Sequence, residues 1–558
     1  MKKTFIGIAM IASLFLSSCS GEPSVPVQGS GQDGGEITSS TTTTTTTEAT
    51  TTTVPELVYS DDCKADVEYF AISDENRFMT SPMEYAIDSE NGVISVNISY
   101  DSYVDIYTLE NCILDISVIG GEYSLDALNP DGTADLTKLT SIILTDGEGL
   151  HRKYDVVTER TVYDIPIVNI YLEDMNSINS IDRYEYTPMT FFVDAAGAEE
   201  FSGTDVITGK IRGRGHSTWN WEKKPYRIKL DEGASVLGLD KDKDWILLAN
   251  YSDKSFLRNT VAYRMGKTLD GLDWTPTQYP VDLFVNGEYR GVYTIGEHME
   301  ADDGRVEIET DSADADTGYL LEVGGISSWE TWRDDYFHSA LELASSVVIQ
   351  SPKSDVITEE QKEYIQDYVN KAEAAIVSGE GYEEYIDVDS FADWIIIHEL
   401  TYNLDSCFRR SCFITKDKGG KLKMGPIWDF DLAFGNYDID NPYYNNWVTV
   451  GYGTTYEDAY VTINWCNYLM NDKDFRSRLK ERWFKVRDRL LGEAMSCIDH
   501  YSERIYRSQE ENFRLWQTWG EKAGLQSDRN AEYESYDLQI QYLRDFLEMR
   551  AEWIDKNI

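Results

Sequence analysis

A mixed α+β fold, with strands concentrated in the first half and helices in the second, is predicted by three features of the sequence. Short runs of alternating apolar and polar residues, separated by Gly-Gly and Asn-Gly turn signals, fill much of residues 57–323. Val281–Val285 and Tyr289–Ile295 flank Asn286-Gly287, the strongest short-range hairpin signal. From Thr358 onward long stretches repeat their apolar residues with helical period. At 558 residues the chain exceeds one domain; typical domain sizes suggest about two to four.

The composition, 41% hydrophobic and 13% aromatic, supports a sizeable core. Asp and Glu number 99 against 50 Lys and Arg, a formal charge of -49. Such a field argues against nucleic acid as a partner and favours divalent cations. Lys2 and Lys3 precede a short apolar run, Thr4–Leu16, and Leu16-Ser17-Ser18-Cys19 resembles a bacterial lipobox. These residues predict a signal peptide over 1–19, lipidation of Cys19, and a membrane-anchored, extracytoplasmic location at a bacterial cell surface. Residues 20–56 read as a Thr-rich disordered linker, almost pure Thr from Thr41 to Thr53. Six further cysteines, Cys63, Cys112, Cys407, Cys412, Cys466 and Cys497, leave disulfide connectivity open and show no tight metal spacing.

Residues 57–160 read as a small all-β, Ig-like sandwich with strands at Tyr85–Ile87, Val93–Ile98, Cys112–Ile119, Ser141–Leu144 and Lys153–Val157. Residues 161–558 form the larger domain. It opens with strands at Ile165–Leu172 and Pro188–Val193, then the Gly-rich turn Gly209–Trp219 and a strand in which Tyr226, Ile228 and Leu230 alternate with Arg227 and Lys229. A glycine turn backed by cations suits phosphate, although most such turns are only turns. Ser252-Asp253 predicts a cap for a helix over Lys254–Leu269, and Gly318–Val323 a further strand. Later helices are expected over Thr358–Ser378, Val388–Leu404, Phe475–Leu491, Ala494–Trp516 and Tyr533–Lys556.

Among these helices lies the segment with the clearest chemistry. An apolar helix, Phe391–Leu400, delivers Asp405 into a loop; a hairpin, Cys412–Thr415 and Leu422–Met424, then delivers Asp429 and Asp431. Protein kinases use this order: one carboxylate orients or deprotonates the acceptor hydroxyl, and a second holds the cation that bridges the nucleotide phosphates. Alternatives remain at this level. An Asp after a helix often serves as a cap, and Asp429 with Asp431 suits a calcium site or surface charge equally well.

Several runs in order also resemble the CotH (spore coat protein H) kinase family: Lys210–Trp219, Lys224–Lys229, Lys241–Ser255, Asp282–Tyr293 and Trp428–Asn436. The resemblance implies an atypical protein-kinase-like fold, with an antiparallel-sheet N-lobe and a helical C-lobe. It also implies ATP with Mg²⁺ or Mn²⁺, and phosphorylation of Ser or Thr on exported or cell-envelope proteins. By position, Asp405 matches the catalytic-loop Asp and Asp429 the metal-binding Asp, with Asp431 as an added metal contact. Lys229, favoured by its strand position, or Lys224 would reach the phosphates alongside Arg227, and Glu297 would meet that lysine or sit near the nucleotide. Five residues after Asp405, where kinases place a second metal-binding Asn, this chain has Arg410; Arg409 and Arg410 would meet phosphate instead. A non-catalytic adhesin on the same scaffold is the alternative, since fold alone does not establish chemistry. A glycan-active enzyme built on an acid pair is a third option that no spacing supports.

Overall fold

The computed structural model describes residues 57–73, 75–76, 84–173, 177–196, 198, 200–310, 313–324, 335–344, 346–408, 410–437, 444–450, 463–524 and 526–558. The predicted signal peptide, Cys19 and the Thr-rich linker lie outside the described residues, as does Arg409. Val58–Ile558 forms one compact unit. Among the described residues no helix is long and apolar enough to cross a membrane.

Strands come first: β1 (Asp66–Ile72), β2 (Glu84–Asp88), β3 (Val93–Ile98), β4 (Leu114–Ile119), β5 (Gly121–Leu125), β6 (Ser141–Asp146) and β7 (His151–Arg160), with a short helix α1 (Ile106–Glu110). One sheet runs β2-β3-β7-β6-β5, and β1 pairs with β4. The β3–β7 pair is parallel. Period-two alternation turns Ile94, Val96 and Ile98 inward, where they meet Phe70, Ile142 and Leu144 in one core. The cysteines Cys63, Cys112, Cys407, Cys412, Cys466 and Cys497 are buried free thiols, so the disulfides left open by the sequence do not form.

The next strands are β8 (Ile167–Leu172), β9 (Thr187–Asp194), β10 (Ile207–Gly213), β11 (Tyr226–Ala234), β12 (Asp242–Leu248), β13 (Gln278–Val285) and β14 (Glu288–Glu297). They close into a barrel in the order β10-β11-β12-β14-β13-β8-β9. The expected antiparallel sheet is corrected in two respects: it closes on itself, and β8 runs parallel to β13. Closure buries a full ring of apolar faces, among them Ile170, Phe191, Ile211, Ile228, Trp245, Leu283 and Ile295, and leaves no open edge. The tight β13–β14 turn uses Asn286 and Gly287 at positive φ, 53° and 77°, as the Asn-Gly signal predicts.

A second sheet, β16 (Tyr336–Phe337), β17 (Val347–Ser351), β15 (Tyr319–Val323), β18 (Cys412–Lys416) and β19 (Leu422–Met424) in that spatial order, joins the helices. These are α2 (Arg258–Gly266), α3 (Glu359–Ser378), α4 (Val388–Thr401), α5 (Trp465–Leu469), α6 (Lys473–Trp516), α7 (Asp528–Ala531) and α8 (Tyr536–Asn557). The α2 helix starts later than predicted. The Asp253 carboxylate accepts the N–H groups of Ser255 (3.0 Å) and Arg258 (2.9 Å), and Phe256 takes φ 61°, so the chain loops before it can wind. The two helices predicted on either side of Gly492 are one, α6. A Cβ at Gly492 would meet nothing within 4 Å. An exposed helical glycine costs about 1 kcal/mol, which burial of Leu479, Trp483, Val486, Leu490, Ala494 and Ile498 along one stripe exceeds.

The α4 helix is buried from Ser390 to Thr401, and it packs against α2, α6, α8 and β19. Its last turn is fixed by a buried ion pair, Glu399 with Arg550 at 3.2 Å. The Glu399 carboxylate also accepts the N–H groups of Val448 (2.8 Å) and Thr449 (2.7 Å). Tyr402, at φ 51°, ends the helix.

The first sheet unit, the barrel and α6 meet around Asp282 on β13. This fully buried carboxyl accepts hydroxyl bonds from Ser508 (2.6 Å), Tyr289 (2.7 Å) and Tyr100 (3.3 Å). Tyr103 stacks on Phe284 beside it, centroids 3.8 Å apart. Burial pushes Asp282 up to about 7, against the pull of its hydroxyl donors and of Lys223. A carboxyl raised on folding binds its proton more tightly in the folded state, so its contribution to stability is full below about pH 4 and is lost as pH rises to about 7. Asp282→Asn removes that dependence. In urea unfolding at several pH values, wild type should lose stability relative to the variant by up to about 1.4 kcal/mol per pH unit between those limits. A constant difference from pH 4 to 8 would mean that Asp282 does not titrate there.

Candidate active site

Asp405, Asp429 and Asp431 line one cleft of about 660 Å³. Three stretches of chain bring them together. Asp405 lies in the loop that leaves α4, and the β18–β19 hairpin leads into the segment carrying the other two. The remaining wall comes from the turn Arg214–Thr218 after β10 with Trp221 and Pro225, from Leu248–Ser252 at the end of β12, from Asn259 of α2, from Glu322 and Gly324 at the end of β15, and from Arg410, Ser411 and Trp428.

The backbone of Asp429 is unusual. It adopts φ 67°, a left-handed conformation costly for a residue with a Cβ. Neighbouring groups hold it there. The Asp429 N–H donates to Tyr263 Oη (3.2 Å), and the Phe430 N–H donates to Asn259 Oδ1 (2.7 Å), both on α2. The Asp429 carbonyl accepts Asn403 Nδ2 (3.0 Å) and Ser406 Oγ (3.2 Å). Phe430 is driven into the core between Tyr263 and His398, and Asp431 returns to the cleft. Farther on, Asn436 Nδ2 donates to the carbonyls of Ser252 (3.0 Å) and Asp431 (2.7 Å).

The electrostatics follow from this packing. Burial, then the adjacent Asp429 and Asp405 carboxylates, push Asp431 well above the usual carboxylate range; the Ser252 hydroxyl, donating at 2.8 Å, pulls the other way. Ser411 Oγ donates to Asp429 Oδ2 at 3.1 Å. Burial lowers Arg214 from its ordinary value, and Asp429 is the group that most opposes that shift. Clustered carboxylate oxygens beside phosphate-suited arginines fit a hard divalent cation, Mg²⁺, Mn²⁺ or Ca²⁺.

The other predicted residues lie elsewhere. Arg227 and Lys229 project from the outside of the barrel, opposite the buried Tyr226, Ile228 and Leu230. Both pair with Asp244 of the neighbouring strand, Arg227 Nη2 at 2.6 Å and Lys229 Nζ at 3.1 Å. Lys224 donates to the carbonyls of Trp219 (2.7 Å) and Trp221 (3.1 Å), so it staples the glycine turn. Glu297 accepts the Thr277 N–H at 2.6 Å and lines a separate groove beside Trp274. None of these four lines the cleft of the three aspartates; among the described residues Arg214 and Arg410 are the cations that do.

Asp242, Asp244 and Glu300 bring their ligand oxygens within 4.8 Å of one another. Arg305 pairs with Asp242 (3.0 Å) and Glu300 (2.7 Å), while Arg227 and Lys229 take Asp244. Three cations pair with that trio in an ion-pair network. Sequence reasoning passed over Arg214, Ser252, Tyr251 and Trp428 as site residues. Each stands inside a run quoted above, and the glycines around Arg214 were the available signal.

Relief of like-charge crowding gives a test. In divalent-free buffer Asp431→Asn should be more stable than wild type by about 1 kcal/mol, and millimolar Mg²⁺ or Mn²⁺ should raise the melting temperature of wild type only. An equal response of both proteins to the metal would mean that Asp431 contacts no cation.

No curated protein matches the chain. The CotH kinase protein family matches residues 211–554, more than half of the 558. That span contains Arg214, Asp405, Asp429 and Asp431, and the chain belongs to the CotH kinase protein family.

Proposed function

We propose that the chain is an ATP-dependent, divalent-cation-dependent protein kinase acting on Ser or Thr hydroxyls of exported or cell-envelope proteins, anchored at the cell surface through Cys19. The observation that carries this reading is the convergence of Asp405, Asp429 and Asp431 on one cleft also lined by Arg214 and Arg410. Asp405 orients the acceptor hydroxyl and takes its proton. Asp429 and Asp431 supply oxygen ligands to the cation, which when bound neutralises phosphate charge. Arg214 and Arg410 meet the phosphates, the latter in the place of the second metal-binding Asn of other kinases. Tyr251 and Trp428 offer aromatic faces for a nucleobase. In this arrangement the barrel and the helical half act as the two lobes of a kinase-like frame, and the first sheet unit, read as the Ig-like domain, spaces the cleft from the membrane.

The purified chain with γ-labelled ATP, Mg²⁺ or Mn²⁺ and casein-type acceptors tests this. Asp405→Asn should lower kcat by about 10²–10⁴-fold and leave nucleotide binding intact, whereas Asp429→Asn should abolish the metal-dependent part of binding. No transfer, together with no nucleotide-induced rise in melting temperature, would leave a non-catalytic adhesin on a kinase-like frame.

A further inference from the structure

The loop that carries Asp405 is bonded to the main chain of Asp429. Asn403 and Ser406 bracket Asp405, and both donate to the same acceptor, the Asp429 carbonyl, at 3.0 and 3.2 Å. Ser406 Oγ also reaches the Trp428 carbonyl at 3.2 Å. Both side chains are buried, Asn403 at 0% and Ser406 at 1% exposure.

Packing does not account for an amide at position 403. Its Oδ1 is buried with no partner among the described residues, a loss of about 1–3 kcal/mol. An apolar side chain of similar size would avoid that loss. What an apolar side chain cannot supply is the Nδ2 bond to Asp429, a residue whose left-handed backbone needs holding.

We propose that Asn403 and Ser406 are positioning residues: by sharing the Asp429 carbonyl they set the separation of Asp405 from Asp429 and aim the Asp429 carboxylate at the cation. The inference rests on the metal role proposed above for Asp429. It assigns the two residues no contact with substrate. They act through the backbone, as groups behind a metal ligand do when they fix its orientation.

Mn²⁺ binding followed by electron paramagnetic resonance on the nucleotide-free, full-length chain tests it without requiring turnover. Asn403→Leu and Ser406→Ala should each weaken Mn²⁺ about 10- to 100-fold, and the double variant should lose less than the product of the two, since both act on one carbonyl. The melting temperature of metal-free Asn403→Leu should stay close to that of wild type, because removal of the unpaired Oδ1 offsets loss of the Nδ2 bond. In turnover assays kcat should fall with little change in the KM for the acceptor. Wild-type Mn²⁺ affinity in both single variants overturns the proposal. So does an affinity loss that follows a fall in melting temperature, the mark of a merely structural role. A wild-type chain that binds no Mn²⁺ instead sinks the metal reading itself, and the positioning role with it.

Discussion

The left-handed backbone of Asp429 is the constraint on which the rest of the site depends. At φ 67° a non-glycine residue is disfavoured, by about 1–3 kcal/mol, and four hydrogen bonds to Asp429 and Phe430 hold it there. They come from two directions, α2 on one side and the Asp405 loop on the other. The consequence is a sharp reversal: Phe430 drops into the core while Asp429 and Asp431, on either side of it, both face the cleft. An extended strand would also have put residues 429 and 431 on one face, but without joining them to Asp405 through a shared carbonyl.

Charge decides which acidic cluster is chemically available. Asp242, Asp244 and Glu300 lie close together, yet Arg227, Lys229 and Arg305 interleave with them. The cleft carboxylates are compensated differently. Hydroxyls of Ser252 and Ser411 solvate them, Arg214 lines the same cleft, and Asp431 is still driven well above its usual range. Carboxyl groups crowded together in this way are ones whose charged forms a bound cation would favour. In a chain of charge -49, acidity alone carried no such information.

Much of the fold was legible in local pattern. Alternation in β11 correctly put Tyr226, Ile228 and Leu230 inside and Arg227 and Lys229 outside, and the Asn-Gly turn, the α4 helix and the β18–β19 hairpin fall close to where periodicity predicts them. What alternation could not give was the partner of each outward cation. Lys229 lies in register with Asp244 on β12 and pairs with its carboxylate. The barrel's closure was hidden for the same reason, because strand order is a matter of long-range pairing. The break before α2 and the continuity of α6 through Gly492 went against local signals once a side-chain bond and a buried stripe outweighed propensity.

The sequence by itself determined that this chain is acidic, mixed α+β and built to present Asp405, Asp429 and Asp431 after a buried helix and a hairpin, since these follow from composition, periodicity and order along the chain. Only the tertiary structure decided that the three share one cleft, that Arg214 rather than Lys229 stands beside them, and that Asn403 and Ser406 join their loops. The physical reason is that those outcomes depend on hydrogen bonds and ion pairs between residues far apart in the chain. Such pairs are selected by how strands register and helices pack, and no local pattern encodes them.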